Sequence, residues 1–298
     1  MHPQSRARSS HSDSAMVKIG FVDYYLSEWH ANNYPAWIEA ACARLGLQYK
    51  VAYAWAELDA SPLDGVTTDQ WCQKFGAERC RTLDELCQKS DVILVLAPTD
   101  PQTHLRYAEQ VLRYGKRTYI DKTFAPDLET AKKIFALGEQ YGTPFFSTSA
   151  LRYATELEQY PECRQIFVTG SGASLEEYGI HLIEMVVKKL GAGAEAVKAE
   201  TIGKQTFLHV RYEDDRVASM LFARSLPYTL YMSDGVAGGV RPVTCTVQSS
   251  FFDGLIEAIL KFYETGCVDF DGAQTLEVMR LRDGILRAAE QPGCWLTI

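Results

Sequence analysis

The stretch "DVILVLAPTDPQTHLRYAEQVLRYGKRTYIDKTFAP", residues 91–126, decides the fold. Its first run, Val92 to Pro98, is apolar at nearly every position, which suits a strand covered on both faces, as in a parallel sheet. Asp100-Pro101 then offers a cap and a proline at the first helical position, and Gly115 closes the helix. "RTYIDK" opens the next strand. Strand, helix and strand in immediate succession form a βαβ unit.

The same rhythm extends upstream and a little downstream. "VKIGFVD" (17–23) is a continuous strand, and a helix is predicted from about Pro35 to Leu45, stopped by Gly46. "YKVAYAW" (49–55) is a second strand. Thr67 with Gln70 and Thr82 with Glu85 have capping-box spacing ahead of two short helices. Asp127 caps a helix ending near Gly142, and "PFFSTS" (144–149) is a further strand. This alternation predicts an α/β fold, a doubly wound parallel sheet of the Rossmann kind, over residues 16–148.

Beyond that point the pattern changes. "RQIFVTG", "AVKAETIG", "TFLHVRYED", "RVASMLFAR", "YTLYMS" and "VTCTVQS" alternate with period two, and "CWLTI" ends the chain. A helix from Glu176 to Leu190 and two later helices interrupt them. Residues 149–298 are therefore predicted to form an α+β domain with a largely antiparallel open sheet. Residues 1–15, "MHPQSRARSSHSDSA", read as a polar, disordered leader outside the fold.

Composition narrows the function classes. Hydrophobic residues make up 47% of the chain, enough for a proper core. A net charge of -8 argues against nucleic acid as a partner. No apolar run approaches the ~20 residues that cross a bilayer. The eight cysteines form no Cys-x-x-Cys pair and no secretory signal precedes them, so they read as reduced thiols of a cytoplasmic protein without a metal site.

Four landmarks carry a resemblance to a known family: "FGAERCRTLDEL" (75–86), the segment from Asp91 to Phe146, "EEYGIHLIEMVVKKLG" (176–191), and the ending from Phe262 to Ile298. Together they resemble the glucose–fructose oxidoreductase / inositol dehydrogenase (Gfo/Idh/MocA) family. The resemblance implies hydride transfer between a nicotinamide cofactor and a sugar, cyclitol or related polyol. It also implies a second-domain sheet used for a homodimer or homotetramer; Phe207, Val210, Met220, Phe222, Tyr228 and Tyr231 offer apolar surface for it.

The family's Glu-Lys-Pro motif matches Asp121-Lys122-Thr123, so the lysine is kept and the proline, which commonly sets a cis bond, is not. Its helical acid and histidine match Glu177 and His181, whose spacing of four puts them on one helical face. The implied roles are His181 as proton acceptor, Glu177 as its orienting partner and Lys122 as anchor of the hydroxyl. Histidine suits the first because its ordinary pKa is ~6.5.

Cofactor contacts are implied at Asp23, Tyr24 and Tyr25 in the first turn, at Glu57 (or Asp59) after the second strand, and at Pro98, Thr99, His104 and Asp121. Yet the turn lacks the glycines that let backbone approach a diphosphate. Asp23 and Tyr25, a charge and a ring, stand near the first two glycine positions, so nicotinamide binding is expected to be weak or displaced. No arginine follows Glu57 and Asp59 directly in sequence, which favours NAD over NADP. The alternatives are a ligand-binding or regulatory protein, or a lyase or epimerase, that kept the fold and lost standard NAD(P) binding.

Overall fold

The structure is a computed structural model and describes residues 15–298; residues 1–14, most of the expected leader, lie outside the described part. The first sheet has six strands in the order β3-β2-β1-β4-β5-β6, every pair parallel. Its strands are β1 (Val17–Asp23), β2 (Tyr49–Ala56), β3 (Glu78–Arg79), β4 (Val92–Val95), β5 (Thr118–Ile120) and β6 (Phe145–Phe146). The connecting helices are α1 (Trp29–Leu45), α2 (Thr68–Phe75), α3 (Leu83–Lys89), α4 (His104–Val111) and α5 (Leu128–Tyr141). This is the doubly wound order, and it places ligands outside the carboxyl ends of the strands, where the winding reverses between β1 and β4.

The helix boundaries follow local chemistry. Thr67 and Gln70 form the full capping box of α2, and Asp127 accepts the Thr130 N–H to start α5. Helix α1 departs from expectation. It begins at Trp29, and Pro35 sits inside it. Pro35 cannot donate to the carbonyl one turn back, but Glu28 compensates at the start, its carboxylate accepting the N–H groups of His30 and Ala31. Asp100 likewise does not cap α4; a short 3₁₀ turn, Pro101–Thr103, intervenes.

The second sheet has seven strands in the order β12-β11-β7-β10-β9-β8-β13. They are β7 (Gln165–Ser171), β8 (Ala194–Ile202), β9 (Gln205–Tyr212), β10 (Val217–Ala223), β11 (Thr229–Ser233), β12 (Val243–Thr246) and β13 (Trp295–Thr297). Only the pair β7–β10 is parallel. Helices α6 (Leu175–Leu190) and α8 (Gly272–Ala289) pack on its inner face, and α7 (Phe251–Thr265) follows β12.

Helix α7 does not stay with the second sheet. Its Leu255, Ile256, Ile259, Leu260 and Phe262 share one core with Ile19 and Phe21 of β1, Ile38 of α1 and Trp71 of α2. The Tyr263 hydroxyl donates to the Ile93 carbonyl of β4 at 2.7 Å. A single cut in sequence at residues 148/149 therefore does not divide the packing in space.

Strand parity corrects the expected outer surface of the second sheet. Val210, Met220 and Phe222 are buried on the inner face, and Tyr228 faces the cavity described below. Phe207 and Tyr231 remain outward. Beside them stand Leu221, which pairs with Phe207, and Phe167, which pairs with Tyr231. All eight cysteines are free thiols. Among the described residues no helix is long and apolar enough to cross a membrane, and no group of side chains has the makings of a metal site.

Candidate active site

A cavity of about 520 Å³ lies between the two sheets, at the carboxyl ends of β1, β4 and β5. The β1–α1 turn contributes Tyr25, Glu28, Trp29 and His30; the segment after β4 contributes Pro98 and Thr99; the segment after β5 contributes Lys122. Helix α6 supplies Glu177, Tyr178 and His181, and Tyr228, Phe251 and Phe252 close the far side. Such a volume suits a small-molecule ligand.

Lys122 is half-buried, is joined to Thr123 by a cis peptide bond although no proline follows it, and holds its ammonium 5.5 Å from the centre of the Tyr178 ring. Burial pulls its pKa below the ordinary lysine value, against the opposing charges of Asp121, Glu177 and Glu28. Tyr178 can lie there because residue 172 is glycine: a Cβ at Gly172 would stand 2.1 Å from the tyrosine's Cγ.

His181 is buried, and its Nδ1 is 2.6 Å from Ser149 Oγ. Burial, then the charges of Lys122 and His30, push its pKa well below 6.5, so it is neutral at neutral pH. Ser149 is fixed in turn. Its Oγ accepts the Leu151 N–H at 3.2 Å, and Glu184, one turn beyond His181, accepts from the neighbouring Thr148 hydroxyl at 2.8 Å. Glu184 is itself buried and paired with buried Arg152 at 2.6 Å. Glu184 is thus a structural tie between α6 and residues 148–149, away from the cavity wall.

Several expected positions fall otherwise. The partner of His181 is Ser149; Glu177 is exposed in the first turn of α6, and no hydrogen bond links its carboxylate to the imidazole. His104 does not reach the cavity. It is fully buried, with Nδ1 2.9 Å from the Phe124 carbonyl and Nε2 2.7 Å from the Leu96 carbonyl, and so ties β4 to the segment after β5. Burial lowers its pKa although both carbonyls oppose this. Asp121 is buried behind Lys122 with one oxygen unpartnered and its pKa raised by burial.

At the first turn, Asp23 is buried and its Oδ1 accepts from Tyr24 N at 2.8 Å and Ala97 N at 3.1 Å. Its Oδ2 has no partner, and its pKa is raised well above the ordinary value, first by burial and then by the charge of Glu28. Tyr24 packs against the core beside Tyr25, ring centres 6.0 Å apart. Glu57 lies outside the cavity, bonded to the Arg106 guanidinium and, at 2.6 Å, to the Tyr107 hydroxyl; Asp59 is paired with Arg79 at 2.7 Å. The two acids therefore do not favour NAD over NADP, because the fold brings Arg106 of α4 to Glu57 and Arg79 of β3 to Asp59.

The family implies a nicotinamide dinucleotide, and the residues can be tested against it. The cavity has room for a ring beside Lys122 and His181. The diphosphate does not fit the turn as it stands. The N–H groups of His30 and Ala31, which such a phosphate would take, already donate to Glu28 at 2.7 and 2.5 Å. The sequence offers Glu28-Trp29-His30 as either a ligand contact or a helix start, and Glu28 does start α1; Ser149 and Tyr178 were not expected at the site, and Tyr228 was expected on the outer face of the second sheet. Only the capping position of Glu28 ahead of Trp29 carried a local signal.

Comparison with known proteins bears on the whole. A family model described as "Oxidoreductase family, NAD-binding Rossmann fold" (GFO_IDH_MocA) matches residues 59–149. The uncharacterized oxidoreductase YhhX of Escherichia coli (strain K12) is 39% identical over 66 residues, which is 21% of this chain and 19% of that protein. The match thus spans less than a fifth of that relative. The structure of UDP-N-acetylglucosamine 3-dehydrogenase GnnA from Acidithiobacillus ferrooxidans superimposes with a TM-score of 0.74 at 13% identity, covering 93% of this chain and 99% of that one. That of GenD2 from gentamicin A biosynthesis, in complex with NAD, gives 0.75 at 13% identity, covering 100% and 99%. At such identities the superpositions speak for the fold, while the matched segment carries β3 to β6 and Lys122. Over residues 59–149 the chain is similar to the Gfo/Idh/MocA oxidoreductases, and over nearly its whole length it shares the fold of the two solved structures.

Proposed function

We propose that the chain is an oxidoreductase of a sugar, cyclitol or related polyol, working with the nicotinamide cofactor that its family implies. The observation that supports this reading is that Lys122 and His181 line the same cavity. A neutral histidine beside a cation is the pair that an alcohol oxidation asks for. Lys122, charged, stabilises alkoxide character on the substrate oxygen, and His181 takes the hydroxyl proton. With Ser149 Oγ accepting from Nδ1–H, Nε2 keeps its lone pair free for that proton. Ser149 and not Glu177 is the positioning residue in this scheme.

The test is a panel of sugars and cyclitols with NAD and with NADP, followed at the nicotinamide absorbance. Oxidation of one polyol is expected, with kcat reduced about 10²–10⁴-fold in His181→Ala. No turnover across the panel, or an undiminished His181→Ala, would overturn the reading. We also propose a homodimer or homotetramer through the outer face around Phe167, Phe207, Leu221 and Tyr231, since an antiparallel sheet can leave one face to be covered. Light scattering that finds a monomer at micromolar concentration would refute it.

A further inference from the structure

The β1–α1 turn holds a carboxylate where its fold seats a phosphate. Glu28 is buried, and its two oxygens accept the His30 and Ala31 N–H groups at the start of α1. His30 Nδ1 lies 3.2 Å from the same carboxylate. A second, separate feature covers this end of the helix. Trp29 packs edge-on to Trp37 and to Phe252 of α7, with ring centres 5.4 and 5.1 Å apart. Buried Asp23 adds an unpartnered oxygen behind Glu28. A diphosphate arriving here would meet like charge and would find the first donors of the helix taken.

We propose that Glu28 is an internal stand-in for the diphosphate and sets the ligand specificity of the site. Its carboxylate leaves the cavity open to an uncharged polyol. A dinucleotide binds at the turn only when Glu28 releases both N–H groups. This deepens the oxidoreductase reading and rests on it in one respect, that a nicotinamide dinucleotide is the ligand so restrained.

The probe is ADP, which carries the diphosphate without the nicotinamide, with adenosine as the phosphate-free control. Both are titrated calorimetrically into the wild type, Glu28→Ser and Glu28→Gln, with folding checked by thermal melting. Serine keeps a cap for α1 but removes the charge and the bulk. Glutamine keeps the size and removes only the charge. Glu28→Ser is expected to bind ADP at least about tenfold tighter than the wild type, with adenosine unchanged and Glu28→Gln in between.

Equal ADP affinity in the wild type and a folded Glu28→Ser would overturn the proposal, as would tighter binding by the wild type. Should Glu28→Ser not fold, the isosteric Glu28→Gln decides by the same criterion. Failure of the oxidoreductase reading shows elsewhere, as an absence of polyol oxidation in all three proteins whatever ADP does.

Discussion

His181 and Lys122 make opposite demands on pH, and the environment lowers both pKa values. His181 must be neutral to take a proton; burial and the nearby Lys122 and His30 charges hold its pKa below 6.5. The acid limb of kcat/KM is therefore expected below pH 6.5, with full activity at neutral pH. Lys122 must be charged, and burial lowers its pKa, so the alkaline limb is expected below the ordinary 10.5. A pH–rate profile with its acid limb above 6.5 would contradict the assignment. Asp23 allows a stability test. Its raised pKa means that the folded state favours the protonated acid, a contribution complete below 3.8 and lost as pH rises through the folded value. Asp23→Asn keeps the acceptor for Tyr24 and Ala97 and is expected to be more stable than wild type by about 1–2 kcal/mol at alkaline pH. The gap should close as pH falls toward 3.8. Urea denaturation at several pH values reads it; a gap that widens on acidification would refute it.

Among the elements, α6 and the segment after β6 depend on one buried ion pair. Arg152 donates to Glu184 at 2.6 Å and to Gln274 of α8 at 2.8 Å. Arg152→Ala strands a buried carboxylate, and a loss of about 3–5 kcal/mol in unfolding free energy is expected. A loss below 1 kcal/mol, at the level of an exposed pair, would show that Glu184 finds another partner. This pair also marks the limit of what the sequence makes legible. Helix α5 was readable because both of its signals are local, a cap at Asp127 and a left-handed stop at Gly142. The apolar run of β4 was readable because a strand covered on both faces needs no polar positions. Helix α1 misled because Pro35 resembles a first helical residue, whereas the start is set by a carboxylate at Glu28. Ser149 on His181 and Arg106 on Glu57 are contacts between residues 32 and 49 positions apart, which no local pattern encodes. Lys122 and His181 were legible only as matches to family motifs, and their shared cavity is a product of the tertiary fold.

For the whole molecule, the buried histidines set an acid weakness. His104 and His181 both have pKa values lowered from 6.5, chiefly by burial. The unfolded chain takes up their protons first, so stability is complete above pH 6.5 and declines as pH falls from there toward the folded values. Glu156 acts later in the same direction. Burial would raise its pKa, but bonds from Ser249 and the Gln248 N–H hold it below 4.5, and that stability is lost as pH falls through the folded value. The melting temperature is expected to fall in two stages on acidification, the first beginning near pH 6.5. A flat melting temperature down to about pH 5, more than a unit below the ordinary histidine value, would show that neither imidazole resists protonation.

The return of α7 to the first sheet also has a bearing on synthesis. When the ribosome has made β6, the β1 and α1 surface formed by Ile19, Phe21 and Ile38 still lacks its cover of Leu255, Ile256, Ile259 and Phe262. At about 5–20 residues per second, that surface waits roughly ten seconds for its partner helix. The nascent chain thus emerges with a sticky half-core, a natural client for a chaperone holding the first unit until translation passes Thr265.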